Sequence, residues 1–306
     1  MTILTISDIA RGVFQTQLQA IQSQLDGCIE GKDPIHLHEL RVATRRIRAA
    51  LDEFEDLLLE DTYARFQRDL HWLHTVTGDV RDLDISLSHF PNFKKSIPRE
   101  WRKHLLPMGA LLEIKRENAQ KTLMEHLASE QLKSVLTDMT IILEDNLLTG
   151  GSLADEPARE YGCRLIVERY QKVRAKGVKL SKKTPPEKFH AYRINIKKLR
   201  YLMEFFRPAI DSDDYERLRT GLRAVQDAFG SFQDTDVQTD KVEQIALELH
   251  TAGESPETLL AIGQLLAVLE KRKRRYKKEC LRQTHWFVGD STARNFQSCF
   301  QYPVKG

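Results

Sequence analysis

The chain contains two eleven-residue segments, 152 positions apart, that carry the same kinds of residue in the same order. Residues 38–48 read HELRVATRRIR, and residues 190–200 read HAYRINIKKLR, so each has one histidine and four cations at identical spacing. A second pair keeps the same offset, with GDVRDLD at 78–84 and GSFQDTD at 230–236. Two matched elements in register predict that the chain is built from two related repeats.

Helical spacing places most of these cations on one side of each segment. At about 100° per residue, an arc of roughly 80° holds His38, Arg41, Arg45 and Arg48 in the first segment and His190, Arg193, Lys197 and Arg200 in the second. Arg46 and Lys198 fall outside this arc. An apolar seam with i, i+3, i+7 spacing begins at Leu37 and at Phe189, which predicts that each cationic stripe flanks the core.

Two simpler interpretations of the stripes stay open. In the first interpretation, the stripes are ordinary solvated helix faces. Such faces usually carry charges of both signs, however, because opposite charges at i, i+4 stabilise a helix. In the second, carboxylates of neighbouring helices neutralise the cations. The acidic run at 52–61 supplies candidate partners, but it explains one stripe better than two.

Composition excludes several classes of protein. The 306 residues are 41% apolar and 30% charged, with a formal net charge of +3. No apolar run approaches the ~18 residues of a membrane span, and Asp8 and Arg11 interrupt the stretch where a signal peptide has its apolar core. Four scattered cysteines form no CxxC pair, so we expect free thiols, neither a zinc site nor a disulfide framework, and a cytoplasmic protein.

Helix-forming residues dominate, and the alternating β-branched runs of strands are missing, so we predict an all-α protein. We expect residues 1–150 and 151–285 to form one helical bundle each, divided at Gly150-Gly151, by internal duplication and with pseudo-twofold symmetry, and residues 286–306 to form a C-terminal tail. A loop is predicted between Pro91 and Pro98, and helix breaks near Gly78 and Gly230. The helices are predicted at 5–29, 34–60, 62–88, 99–127, 130–147, 155–178, 185–207, 212–250 and 256–284.

The doubled motif H-x-x-R-V-A-T-R-R-x-R and H-x-x-R-I-x-x-K-K-L-R-Y, with a G-x-x-x-D-x-D element after each, resembles the CHAD domain, the conserved-histidine α-helical domain, from about residue 5 to 285. The resemblance implies two four-helix bundles with long antiparallel helices, and a basic surface or pore that binds inorganic polyphosphate and can associate with polyphosphate granules. The polyphosphate-binding residues it implies are His38, Arg41, Arg45, Arg46, Arg48, His190, Arg193, Lys197, Lys198 and Arg200. The E-x-E-x-K signature of a triphosphate-tunnel domain is missing, so we expect a stand-alone, non-catalytic member.

Further charged residues are weaker candidates. The carboxylates Asp82, Asp84, Asp234 and Asp236 are predicted to orient the arginines, with helix capping and Mg²⁺ binding as alternatives. A supporting basic face is predicted from Arg116, Lys172, Arg174, Lys271, Arg274, Arg275 and Lys278. His71 and His74 have no histidine counterparts in the second repeat, where Arg223 and Gln226 stand. We therefore expect no metal site, and no cofactor.

The sequence predicts non-catalytic binding of inorganic polyphosphate or another linear polyanion, with no membrane partner. A nucleic-acid-binding protein is one alternative, although the stripes contain neither base-stacking aromatics nor a groove-reading motif. A metal-dependent phosphohydrolase is another, although no Gly-rich phosphate loop or metal-spaced cluster is present. A scaffold for acidic proteins is the third.

Overall fold

A computed structural model describes residues 3–144, 151–210, 212 and 214–301. The prediction of an all-α protein is confirmed, because the described residues form helices and only one isolated β-bridge. The helices are α1 (Ile6–Glu30), α2 (Pro34–Glu53), α3 (Glu60–Val76), α4 (Gly78–Ser96), α5 (Leu106–Leu127), α6 (Glu130–Glu144), α7 (Gly151–Ala154), α8 (Ala158–Gly177), α9 (Pro186–Phe206), α10 (Tyr215–Thr251), α11 (Pro256–Phe287) and α12 (Asp290–Cys299). Short 3-10 turns occur at Glu55–Leu57, Arg99–Leu105 and Arg207–Ala209.

Capping residues set the start of several helices. Thr5 forms a capping box with Asp8 at the start of α1, and the side chain of Asp33 accepts a hydrogen bond from the Ile35 amide at the start of α2. Gly31 ends α1 with a φ of 65°, in the left-handed region that favours glycine. None of the described helices combines the length and the apolar character that crossing a bilayer requires.

Two predicted interruptions are absent from the structure. Pro91 lies inside α4, where we predicted a loop, and α4 continues to bury Phe93 in the core. Gly230 does not break α10, because Phe229 and Phe232 on either side of it pack against Phe189, with ring centroids 5.7 and 5.2 Å apart. In both places tertiary packing outweighs the local preference of one residue.

The predicted break near Gly78 is confirmed, since α3 ends at Val76 and α4 begins at Gly78. The described part of the predicted tail differs from the prediction, because most of it is helix α12. Phe296 of α12 is 1% exposed and stacks on Tyr170 of α8 at 3.9 Å between ring centroids. A short polar segment with one aromatic residue does not by itself predict a helix packed on the core.

Buried side chains form two clusters, and both contain residues from the two halves of the chain. The smaller one joins Phe93 and Met108 of the first half to Val242, Ile262 and Leu265 of the second. The larger one includes α1, α2 and α3 together with α8, α9 and α12. The division of the chain at residue 150 stays a prediction, and residues 145–150 lie outside those described.

The segments that precede α1 and α8 contact each other reciprocally. The Ile6 amide donates to the Glu156 carbonyl at 3.1 Å, and the Ala158 amide donates to the Leu4 carbonyl at 2.9 Å. Thr5 thus pairs with Pro157, which is its counterpart at the 152-residue offset. A position that pairs with its own counterpart lies on a twofold axis in a symmetric assembly, and this contact has that reciprocity.

We predict that Phe296→Ala destabilises the whole protein, because it removes a buried ring from the shared core. The expected loss is about 3 to 5 kcal/mol in the free energy of unfolding, measured by urea denaturation at constant protein concentration. Gln297→Ala, at the exposed neighbouring position, is the control and is expected to change stability little. Equal unfolding midpoints for the two variants would show that α12 is not part of the cooperative core.

Candidate functional site

The two repeated segments lie on α2 and α9, which pack against each other. Their apolar seams are buried as predicted, with Leu40 and Ile47 on α2 and Phe189 and Ile196 on α9 all without measurable exposure. The cations beside each seam are neither fully buried nor freely solvated. Each stripe therefore lies at the margin of the core, where water screens its charges less than at an open surface.

Two reciprocal ion pairs connect α2 and α9. Arg46 Nη2 lies 3.2 Å from Glu204 Oε2, and Lys198 Nζ lies 2.9 Å from Asp52 Oδ2. The two cations are counterparts at the 152-residue offset, and so are the two carboxylates. Because the earlier residue of α2 pairs with the later residue of α9, the helices run antiparallel where they cross. Arg46 and Lys198, which we predicted as ligands, thus each have a carboxylate partner.

Other stripe residues have partners that hold the surrounding helices. Arg41 Nη1 donates to the His74 carbonyl at 2.6 Å and to Thr77 Oγ1 at 2.8 Å, at the end of α3. Arg200 Nη1 lies 3.0 Å from Glu204 Oε1 on the same helix. Part of the hydrogen-bonding capacity of these two arginines is therefore used inside the protein.

The two motif histidines occupy equivalent places. His190 Nδ1 lies 2.8 Å from Gln233 Oε1 on α10. Burial lowers the pKa of His38, and the charge of Arg81 on α4 lowers it further. Arg81 is the counterpart of Gln233 at the 152-residue offset. The replacement of this cation by glutamine removes a repulsion from His190 and gives it a hydrogen-bonding partner.

Four stripe residues, which we call the unpaired cations, have no hydrogen bond or ion pair within the described part of the chain: Arg45, Arg48, Arg193 and Lys197. The Nε atoms of the three arginines are also shielded from solvent. A buried donor without an acceptor costs about 1 to 3 kcal/mol, and more when it is charged. These cations therefore have unpaired hydrogen-bond donors that suit an anion with several acceptor oxygens.

The two stripes lie close enough for charges on one to affect groups on the other. Arg45 of α2 lowers the pKa of Lys197 and of Arg193 on α9, in both cases after burial, which is the larger cause. Burial, Arg193, Arg45 and Arg200 together bring the pKa of Lys197 to about 7, against the opposite effect of Asp234. The stripes on α2 and α9 are therefore electrostatically coupled.

His74 lies next to the stripe arginines, although its place in the sequence did not predict this. Burial and the charges of Arg41, Arg48 and Arg45 lower its pKa to about 4, so it is a neutral imidazole at ordinary pH. Its Nε2 lies 3.5 Å from Arg41 Nη2. The repeat had given no sign of this role, because glutamine stands at the corresponding position of the second half.

The predicted orienting carboxylates divide into two kinds. Asp84 pairs with Arg116 at 3.1 Å and Asp236 pairs with Lys273, so these two connect their own helices to α5 and α11. Burial lowers the pKa of Arg41 and of Arg193, and the charges of Asp82 and Asp234 respectively oppose that shift. The ion pair of Asp82, however, is with Lys241 at 2.8 Å. Among the described residues, none of the four carboxylates hydrogen-bonds a stripe cation.

Two members of the predicted supporting face have partners within the protein. Arg116 also donates to the Gly31 carbonyl at 2.8 Å, and Arg174 donates to the Val288 carbonyl at 2.8 Å and pairs with Asp290. Both arginines therefore connect secondary-structure elements of the protein. The exposed members are Lys172, Lys271, Arg274, Arg275 and Lys278. In the described part of the chain no group of three or more His, Cys, Asp or Glu side chains is suited to a metal ion.

We predict that Lys197→Met stabilises the unliganded protein, because it removes a charge that has no partner. The expected gain is about 1 to 3 kcal/mol in the free energy of unfolding. It is full below pH 7 and shrinks as the pH rises, because the unfolded chain holds the lysine proton up to its higher ordinary pKa. Urea denaturation at pH 6 and pH 9 measures this.

The control for this variant is Lys198→Met, which removes the neighbouring cation from its ion pair with Asp52. It is expected to bring no gain at either pH. A Lys197→Met protein that is less stable than the wild type at pH 6 would contradict the assignment of Lys197 as unpaired.

Comparison with known proteins agrees with the doubled motif. The model of the CHAD domain family matches residues 12–243. The structure resembles the crystal structure of the CHAD domain from the plant Ricinus communis, with a TM-score of 0.76 and 24% identity over 92% of each chain. It also resembles PptA from Streptomyces chartreusis, with a TM-score of 0.69 and 16% identity over 92% of this chain and 99% of that one. No curated protein sequence matches it. The chain belongs to the CHAD domain family.

Proposed function

We propose that this protein binds inorganic polyphosphate, without converting it, through the unpaired cations and the neighbouring stripe residues. The observation that carries the proposal is the set of four partly buried cations without a counter-ion, contributed by both α2 and α9. An anion that enters this space gains charge-assisted hydrogen bonds and also relieves the repulsion between the cations. The doubled CHAD motif favours polyphosphate among the possible anions.

The dimensions of the stripes suit an extended ligand. From residue 38 to residue 48 a helix rises roughly 15 Å, which is enough to follow several phosphate groups. Both stripes lie on the N-terminal side of the crossing between α2 and α9. Because the helices are antiparallel there, the stripes leave the crossing in opposite directions, so a chain held at Arg45 and Lys197 can continue along either one.

The symmetry of the site favours polyphosphate over single-stranded nucleic acid. A linear polyphosphate is the same read from either end, whereas a nucleic acid strand has a direction. The two halves of the site carry matching cations at the 152-residue offset. They therefore offer equivalent contacts to a polyphosphate chain bound in either orientation, which a nucleic acid strand cannot use in the same way. The aromatic residues of α9 near the stripe, Tyr192 and Tyr201, are buried and offer no exposed ring for base stacking.

Retention at polyphosphate granules is a consequence of the proposal in cells that contain them. Granule targeting and soluble binding use the same contacts, so both are expected to depend on the unpaired cations. The absence of catalysis is part of the proposal, and phosphate release in the presence of Mg²⁺ or Mn²⁺ would favour the phosphohydrolase alternative instead.

We predict that the double variant Arg45→Gln, Lys197→Gln binds long-chain polyphosphate at least about 100-fold more weakly, because each change removes a charge-assisted contact. The control is Arg65→Gln, Lys133→Gln, which removes one arginine and one lysine from exposed positions on α3 and α6. Calorimetry measures both affinities, and circular dichroism checks that the variants are folded. Undiminished affinity of the first variant would exclude the stripes as the site.

The wild-type affinity is also expected to fall steeply with salt, because a bound linear polyanion releases its counter-ions. The same titration with single- and double-stranded DNA of equal charge, at two salt concentrations, separates the ligand classes. DNA binding as tight as that of polyphosphate would contradict the proposal.

A further inference from the structure

We propose that anion binding at this site is coupled to the uptake of a proton by Lys197, so that the affinity for the ligand falls as the pH rises above neutrality. The inference rests on the proposed function and adds the regulation of the same site. It singles out one stripe residue from the others, because that residue alone combines three properties. It is unpaired, it is surrounded by arginines, and it can lose its charge.

The surroundings of Lys197 are strongly cationic. Arg193 and Arg200 lie one turn before and one turn after it on α9, and Arg45 of α2 is near enough for its charge to lower the Lys197 pKa after burial has its larger effect. The carboxylate that acts on it is Asp234 of α10. Its ammonium group has no hydrogen bond or ion pair with any residue the structure describes. One carboxylate thus opposes three guanidinium groups around a partly buried amine.

Only one of these cations can relieve the repulsion by giving up a proton. Arginine keeps its charge at every pH at which the protein is folded, whereas a desolvated lysine gives up its proton readily. Burial and the three arginines bring the pKa of Lys197 to about 7. Without a ligand, the amine is therefore mostly neutral at pH 8 and mostly charged at pH 6.

A bound polyanion reverses this balance. Several negative oxygens next to Lys197 favour the ammonium form and return its pKa toward the ordinary value of about 10.4. Binding above pH 7 therefore takes up a proton at this amine, and the affinity decreases with rising pH by the same linkage. Burial and nearby arginines also lower the pKa values of His38 and His74, and a bound polyanion favours their charged forms as well. Any protons that they take up are common to the wild type and to Lys197→Arg, because both proteins keep these histidines.

The two repeats differ in this property. The counterpart of Lys197 in the first repeat is Arg45, which stays charged throughout. The centre of the site thus pairs a permanent cation with a titratable one. A single substitution at either position, lysine to arginine or arginine to lysine, is therefore enough to change the proton coupling.

The test is calorimetry of long-chain polyphosphate binding at pH 8, in HEPES and in Tris, because the difference in apparent enthalpy gives the number of protons taken up. We expect the wild type to take up about 0.9 proton per site more than Lys197→Arg does, from a shift that begins near 7. This difference excludes protons that the ligand itself exchanges. The proton count does not depend on how tightly the variant binds.

Two further variants make the assignment specific. Lys198→Arg, which changes the adjacent lysine, is expected to keep the wild-type uptake, and Arg45→Lys is expected to increase it. The side-chain carbon resonance of Lys197 is expected to titrate near pH 7 in the free protein and above pH 9 with ligand. Equal proton uptake by the wild type and Lys197→Arg would overturn the inference while leaving the proposed function intact. No binding at any pH from 6 to 9 would overturn the proposed function itself.

Discussion

The crossing of α2 and α9 is the contact on which the arrangement of the two stripes depends. Two ion pairs at equivalent positions, Arg46 with Glu204 and Lys198 with Asp52, fix the antiparallel arrangement of these helices. Each pair is partly solvated, so its direct contribution to stability is small. Its importance is geometric, because a shift of one helix along the other would separate Arg45 and Lys197, where the two stripes come near each other at the crossing.

The same crossing brings like charges together at the margin of a hydrophobic core. Burial of the apolar seams, with large rings such as Phe189 and Phe206 fully enclosed, stabilises each helix pair and offsets the repulsion between the cations beside them. The unpaired cations at this place therefore lower the stability of the protein. The protein tolerates unpaired donors at Arg45 and Arg193 because the neighbouring positions of both helices are packed so completely.

Local pattern was enough to predict the helices and the stripes, since residues at i, i+3 and i+4 share a face wherever the helix packs. The same pattern could not predict which residues on other helices would pair with the cations. Arg116 and Arg174 look like surface cations in the sequence, yet each contacts a backbone carbonyl far along the chain. The acidic partners of Arg46 and Lys198 were detectable in principle, because Asp52 and Glu204 keep the 152-residue offset. His74 and Phe296 had no repeated counterpart to reveal them, and only the tertiary structure assigns them.

The mixed composition of both core clusters has a consequence for how this protein loses its structure. Neither half can withdraw its buried side chains without exposing those of the other, and the bridge between Thr5 and Pro157 adds backbone pairing to that dependence. Unfolding is therefore expected to be a single cooperative event in place of two successive ones. The arrangement of the two stripes, which needs both halves, then exists only in the intact molecule, and neither half is expected to keep it after separation from the other.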